Sequence, residues 1–586
     1  MYDILNNINS PADVKKLNAE QLNILASDIR EALFNRLTKI GGHFGPNFGI
    51  VEAEIAMHYV FDSPKDKFVF DVSHQSYPHK MLTGRKNGYI HDACFREDSG
   101  YTNPEESEHD LFNVGHTSTS ISLASGLVKA RDLRGGTENI IALIGDGSLT
   151  GGEALEALDF AGSEIKSNFI IIVNDNQQAI AEAHGGICEH LNELRATRGE
   201  AKNNIFKALG LDYIYEENGN DIQAMIKVLQ KVKDIDHPVV VHINTKKGKG
   251  YKLAEENKEV WHWCLPFDKE TGKYTVSFPA ESYTSLTSDY IMNKAKSDKN
   301  FVVITPAMPM TAGLSPDLRE KLGAQYVDVG IAEEHAVAFA SGIAKAGGKP
   351  LVVTNSTFIQ RTYDQVSQDV CINGNPVTIL LNYTSFDGLT DVTHLGIFTI
   401  SEFANIPNLV VLAPTSKEEY LNMLDWAIEQ KDHPVMILMP GNEVTSRAAD
   451  KNFDLLNTFK MEQSGEKVAI LALGDFYQRG ENLAAQIEEK LGFRPTLINP
   501  RFASGLDEKM LGCLPQNHQL IITLEDGILD GGFGQKVAAF YGTTTVKVKN
   551  YGLKKEFYDR YNPEALLLQL GMSTEQIIED IKSLVY

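Results

Sequence analysis

Short, unbroken apolar runs recur along the chain, each closing in small or polar residues. Ile140–Ile144, Phe169–Val173 and Pro238–Val241 form a first block. Phe301–Ile304, Leu351–Thr354, Val377–Leu381, Leu409–Leu412 and Val435–Met439 form a second, and Val468–Leu473 and Leu520–Leu524 a third. A strand with one wet face alternates apolar and polar residues, whereas a strand buried on both faces of a parallel sheet reads as a continuous run. Stretches with helical character lie between most of them. The pattern predicts α/β architecture: three successive blocks of βα units with mainly parallel sheets. Short buried helices would leave the same mark in some of the runs. Ahead of the first run, Leu22, Leu25, Ile29, Leu33 and Leu37 repeat at spacings of three and four, which predicts a helix. Asn18 with Gln21 three residues on predicts a capping box at its start.

Two polar connections divide the blocks, Asp268–Lys273 and Asp450–Glu466. They place the expected domains at 1–283, 284–457 and 458–586, in keeping with a prior of about four domains for 586 residues. At 42% hydrophobic and 23% charged residues the chain is ordinary globular protein. With 55 Lys+Arg against 78 Asp+Glu the formal net charge is −23. That argues against nucleic acid or an anionic membrane as the main partner, yet leaves room for a local basic pocket. Cys94, Cys188, Cys264, Cys371 and Cys513 are scattered with no CxxC pair, as expected of a reducing, cytoplasmic setting. The start, Met1-Tyr2-Asp3-Ile4, has no basic segment leading into an apolar one, so no secretory signal is expected. No apolar run approaches the roughly 18 residues of a membrane span.

The chemistry concentrates at two run ends, Gly145-Asp146-Gly147 and Asn174-Asp175-Asn176. Both lie at the carboxyl end of a predicted strand, the edge where open α/β sheets bind ligands. The spacing from Asp146 to Asn176 is that of one βαβ crossover, so two neighbouring strands would offer a carboxylate and an amide oxygen to one point. These are hard oxygen ligands suited to Mg²⁺, to which the Gln178 carbonyl adds a third. Gly147 and Ser148, ahead of a predicted helix Gly151–Ala161, would offer backbone N–H groups to a diphosphate. Taken alone, the first triplet is a tight strand-to-helix turn; the second triplet at this distance is what points to a metal.

The pair is similar to the thiamine diphosphate motif, and further segments narrow the likeness. Gly41-Gly42-His43-Phe44-Gly45, Asp71–Lys80, Gly115-His116-Thr117-Ser118-Thr119-Ser120, Lys246–Tyr251, Ile331–Ala336 and Ser356–Gln365 resemble the 1-deoxy-D-xylulose-5-phosphate synthases, a family of the transketolase superfamily. The resemblance runs from about residue 10 to the C-terminus. It implies a transketolase-like fold with a diphosphate-binding domain first, a pyrimidine-binding domain second and a transketolase C-terminal domain third; in pyruvate decarboxylase-like enzymes the first two are reversed. It implies thiamine diphosphate and Mg²⁺ as cofactors, pyruvate and an aldose phosphate or other aldehyde as substrates, and a homodimer. On the diphosphate side it assigns Asp146, Asn176 and Gln178 to the metal, and His74, Gly115, His116, Ser118, Gly147, Ser148 and Lys247 to the cofactor. Ile180 would wedge between the cofactor's rings. Glu333 would hydrogen-bond the aminopyrimidine nitrogen, with Phe358 stacked on that ring and Arg361 beside it. A buried carboxyl in that role is expected to have a raised pKa. His43, His262 and His394 would line the substrate cavity as proton shuttles; His79 reads as structural. In the third block, Glu525-Asp526-Gly527 and Gly531-Gly532-Phe533-Gly534 read as turns.

Departures from the family cluster on the acceptor side. Tyr383 stands where an arginine usually precedes the glycine-rich loop, and Met439-Pro440-Gly441-Asn442 replaces a segment that usually holds another. Each lost bidentate contact to a phosphate costs roughly 1.5–3 kcal/mol if uncompensated. The acidic residue expected shortly before His394 is displaced, with Thr390 and Asp391 in that stretch. Asn355 stands where a tyrosine is common, and Pro46-Asn47 where a serine-containing pair is common. The region after Gly186 is short where the family has a longer covering segment. Three functions follow as expectations. The first is synthesis of 1-deoxy-D-xylulose 5-phosphate from pyruvate and D-glyceraldehyde 3-phosphate. The second is a thiamine-dependent transketolase-like enzyme with another acceptor, and the third a catalytically silent cofactor-binding protein.

Overall fold

A computed structural model describes residues 2–586. The chain forms two compact units, Met1–Phe278 with Gly330–Ala332, and Pro279–Val329 with Glu333–Tyr586. The first holds one five-stranded sheet; the second holds a six-stranded and a five-stranded sheet.

In the first unit, β1 (Lys67–Phe70), β2 (Ile140–Gly145), β3 (Phe169–Asp175), β4 (Asp212–Glu216) and β5 (Pro238–Asn244) pair in the order β1-β2-β3-β5-β4, all parallel. The continuous runs follow from side chains alternating between two cores. Ile141, Leu143, Ile170 and Ile172 enter one core with the helices Ala19–Ile40 and Gly45–Val60. Ile140, Ala142, Ile144, Ile171 and Val173 enter the other with the helices Ser120–Leu133 and Gly152–Glu164. Each fully buried Ile or Val contributes about 1.5–3 kcal/mol, so both faces of these strands stabilise the sheet. The capping box at the first long helix forms, with Asn18 and Gln21 exchanging backbone-to-side-chain bonds of 3.0 Å.

The second unit opens with β6 (Phe301–Thr305), β7 (Tyr326–Asp328), β8 (Lys349–Asn355), β9 (Thr378–Asn382), β10 (Val410–Leu412) and β11 (Val435–Leu438). They pair in parallel in the order β10-β11-β9-β8-β6-β7. Next come β12 (Lys460–Gln463), β13 (Lys467–Ala472), β14 (Thr496–Asn499), β15 (His518–Ile528) and β16 (Lys547–Leu553), in the order β12-β14-β13-β15-β16. Only the edge strand β12 of this sheet runs antiparallel. Ile304, Val352 and Ile379 share one core with Ala469, Leu471 and Ile521, which joins the two sheets into one unit.

Several strands left no readable run. β4 and β12 are edge strands with half-wet residues, and β1 and β14 are four residues long. β12 lies inside the stretch read as a polar connection. The glycine-rich turns of the third sheet have a structural role. The buried Glu525 carboxylate accepts from Phe533 N and Gly534 N at 2.7 and 2.8 Å, closing the start of the helix Phe533–Tyr541. A Cβ at Gly532 would lie 2.4 Å from that carboxylate. Among the described residues no helix is long and apolar enough to cross a membrane.

Candidate active site

In the first unit the two triplets end neighbouring strands. β2 and β3 pair with Gly145 opposite Asn174, and Asp146 N donates to Asn174 O at 3.1 Å, so the two tips lie side by side. The Asp146 carboxylate is buried and accepts from Gln178 N at 3.1 Å. Burial first, and then the charge of Asp175, pushes its pKa up to about 8. Burial acts on Asp175 too, but the hydrogen bond from His242 (2.9 Å) and the cation Arg195 hold it below the usual carboxylate range. Asp146 and Gln178 line a cavity of about 200 Å³, and Asn176 lines a neighbouring one of about 420 Å³; Gln177 borders both. The Asn176 Oδ1 is buried with no hydrogen-bond partner. Among the described residues no three His, Cys, Asp or Glu side chains gather as a metal nest. Asp146, Asn176 and Gln178 carry a carboxylate, an amide oxygen and a carbonyl, oxygen types that suit a hard cation, but the carboxylate and the amide line different cavities rather than one point.

Around these tips the backbone is drawn tight. A Cβ at Gly147 would sit 2.9 Å from the Ala179 Cβ, so only glycine allows the two loops to approach. Lys247 is fully buried and donates to Ala179 O at 2.7 Å; burial lowers its pKa to about 7 against the pull of Asp146. Ser148 begins a short 3₁₀ turn, Ser148–Thr150, and the helix starts at Gly152 rather than Gly151. Ser118 is buried at φ 76°, and its hydroxyl donates to Ser148 O at 2.8 Å, so it ties the two loops together. Gly115 is buried and His116 half-buried in the same loop, and Ile180 is half-buried just past Ala179.

Three of the predicted histidines converge. The rings of His43, His74 and His262 lie with centroids 5.2, 5.3 and 5.8 Å apart. Burial, with the charges of Lys247, His74 and His43, keeps His262 well below the ordinary imidazole range, hence neutral. His79 stands apart from them, in a buried chain from His58 Nε2 (2.9 Å) to Asp110 Oδ1 (2.9 Å). The turn before His74 is strained: Val72 and Ser73 sit at φ 57° and 62°, outside the range β-branched and bulky residues prefer. The Ser73 hydroxyl anchors it by donating to Val114 O at 2.6 Å.

In the second unit, Glu333 is the first residue of the helix Glu333–Lys345 and is 5% exposed. Its Oε2 is buried without a hydrogen-bond partner, and the Arg361 guanidinium Nη1 is 3.9 Å away. Burial outweighs that charge and raises its pKa to about 7. Phe358, on the short helix Ser356–Ile359, meets His394 edge-on with ring centroids 5.7 Å apart. Burial lowers the His394 pKa to about 4. The second unit thus carries a neutral imidazole at His394 and, at Glu333, a carboxyl that keeps its proton up to about neutral pH.

Comparison with known proteins decides the family. Residues 5–204 and 196–245 match the profile of 1-deoxy-D-xylulose-5-phosphate synthase. Residues 282–446 match the transketolase pyrimidine binding domain, and 457–577 the transketolase C-terminal domain. A 1-deoxy-D-xylulose-5-phosphate synthase of Lachnoclostridium phytofermentans is 36% identical over 621 residues, covering 99% of each chain. That of Clostridium acetobutylicum is 35% identical over 622 residues, covering 100% of each. Geobacter sulfurreducens has one 37% identical, covering 98% of this chain and 96% of its own. The chain belongs to the 1-deoxy-D-xylulose-5-phosphate synthase family.

Against that family the departures acquire physical form. Asn47 is fully buried, and its Nδ2 donates to His43 O and His74 O, both at 2.8 Å, while its Oδ1 accepts from Tyr77 N at 2.9 Å. One amide therefore fixes two of the three clustered histidines, a role its sequence position did not reveal. Tyr383 sits at φ 54° and is 43% exposed; its carbonyl accepts from Ser356 Oγ at 2.6 Å. Met439–Asn442 docks on the turn after β13, with Gly441 N donating to Asp475 Oδ2 at 2.8 Å. The region after Gly186 continues a helix, Gly186–Ala196, whose Arg195 pairs with Asp175.

Proposed function

We propose that this chain is a thiamine diphosphate-dependent synthase that decarboxylates pyruvate and joins the two-carbon unit to D-glyceraldehyde 3-phosphate, giving 1-deoxy-D-xylulose 5-phosphate for isoprenoid-type biosynthesis. The observation that carries it, within a full-length family match, is the buried Glu333 carboxyl with an unpartnered oxygen and a pKa near 7. Thiamine diphosphate, when bound, supplies the electron sink that decarboxylation of a 2-oxo acid and the new carbon–carbon bond require. The residues of the first unit suit its diphosphate end. Asp146, Asn176 and the Gln178 carbonyl would hold Mg²⁺. Lys247, His74, His116 and the backbone around Gly147 and Ser148 would meet the phosphates, and Ile180 would pack against the rings. Glu333 would hold a proton at its carboxyl and hydrogen-bond the aminopyrimidine nitrogen, with Phe358 and Arg361 beside that ring. Neutral His262 and His394 would each accept or return one proton on the substrate side, with His43 beside His262. The five free cysteines support a reducing cytoplasm, and the family resemblance supports a homodimer.

A second reading keeps the cofactor and changes the acceptor. Tyr383 and Met439–Asn442 bring no arginine to the acceptor side, which leaves Arg361 as the cation beside Glu333. The test is to incubate the protein with pyruvate, Mg²⁺, thiamine diphosphate and glyceraldehyde 3-phosphate, then follow CO₂ and product mass. Deoxyxylulose phosphate formed in step with CO₂ is the expected result. CO₂ released without it, and carboligation of an unphosphorylated aldehyde instead, would establish the second reading.

A further inference from the structure

The displaced acid before His394 has a place in the loop between β9 and the helix Thr399–Phe403. Asp391 Oδ1 accepts from Thr393 N at 3.0 Å and from Thr393 Oγ1 at 2.7 Å, an Asx-type turn. The same Oγ1 lies 2.8 Å from His394 Nδ1, and His394 N donates to Asp391 O at 2.9 Å. A threonine hydroxyl has one proton and two lone pairs, and an ionised carboxylate only accepts. The hydroxyl proton therefore goes to Asp391, and the contact with His394 needs an Nδ1–H donating to the oxygen. That leaves the lone pair of the ring on Nε2.

We propose that Asp391 and Thr393 are positioning residues that lock His394 in its Nδ1–H form, so that Nε2 is kept as the proton acceptor toward substrate. The proposal rests on the reading of His394 as a substrate-side group. The loop is itself held: Asp559 Oδ1 accepts from Val392 N at 3.2 Å, and Arg560 N donates to Thr390 O at 2.7 Å. Burial raises the Asp391 pKa and its hydrogen bonds from Thr393 oppose that, while Asp559 adds to the rise and Arg560 counters it, so the lock operates at pH values where Asp391 is ionised. Burial, which disfavours the imidazolium, keeps His394 in the neutral state in which a tautomer is defined. Asp391 lies two residues before the threonine, the spacing an Asx turn requires.

The test uses the full chain with ¹⁵N-labelled histidine, the His394 signals being assigned by their loss in His394→Asn. The wild type is expected to show a neutral ring protonated at Nδ1. Thr393→Val is expected to shift that ring toward the Nε2–H form and to lower turnover of pyruvate and glyceraldehyde 3-phosphate by at least about tenfold. Thr393→Ser is expected to restore both, and Asp391→Ala to behave like Thr393→Val; thermal melts exclude variants that do not fold. An Nε2–H or charged ring in the wild type, or an unchanged tautomer in Thr393→Val, overturns the lock. The expected tautomer shift with turnover unaffected overturns instead the reading of His394 as a substrate-side group.

Discussion

A buried carboxyl with one oxygen unpartnered costs a fold stability, so Glu333 is a residue kept for something other than packing. Replacing it with alanine should lower turnover by about 10²–10⁴-fold. The melting temperature should hold or rise, because an unsatisfied polar group goes with it; a steady-state assay and a thermal melt on one preparation check both. Asn47 is the opposite case. Asn47→Ala strands two carbonyls and one N–H, costing about 1–3 kcal/mol, and should loosen His43 and His74 together. A denaturant titration and a turnover assay read the two effects. The contrast shows what a chain discloses. Asp146 and Asn176 were legible because their chemistry is local: each closes an apolar run, one crossover apart. Asn47 was not, because its partners lie 4, 27 and 30 residues away along the chain and nothing near it marks the contact. Ser118 reads in sequence as a candidate cofactor position; that its hydroxyl donates to Ser148 O is visible only in the fold.

Elements were legible in proportion to their burial. Strands that feed two cores, such as β2 and β3, announced themselves, while β4 and β12 sit at sheet edges with too few apolar residues to form a run. The region after Gly186 reads in sequence as shortened; in the structure it belongs to the helix Gly186–Ala196, latched to the end of β3 through Arg195 and Asp175. His242 bonds the same carboxylate and reaches Tyr213 OH at 2.8 Å, so the latch is backed by a second contact. Arg195→Met should therefore cost about 1–3 kcal/mol rather than the full cost of an isolated buried charge. It should also speed proteolytic cleavage between residues 177 and 196; unchanged cleavage would mean the helix is held by its apolar face alone.

At the scale of the whole molecule, buried acids set the response to pH. Asp475 and Asp526 belong to the third sheet's carboxyl edge and line a small cavity with Thr384 and Leu438. Burial, then the hydrogen bonds and charges around them, leaves Asp475 at about 7 and Asp526 at about 8, against 3.8 for a free aspartate. Raised values mean that the native state holds protons the unfolded chain has lost, so stability falls as pH rises from about 4 to about 8. Asp526→Asn mimics the protonated acid. It should leave the melting temperature nearly unchanged below about pH 4, where the wild-type acid is protonated in both states, and raise stability at pH 8 by about 1–3 kcal/mol; equal shifts at both pH values would contradict the assignment. The central claim concerns the two strand tips of the first unit, and calorimetry tests it most directly. Thiamine diphosphate titrated into the protein with Mg²⁺ should bind, lose that binding in EDTA, and fail to bind Asp146→Ala or Asn176→Ala protein that still melts cooperatively. Binding of equal strength to wild type and to both variants, with or without the metal, would contradict it.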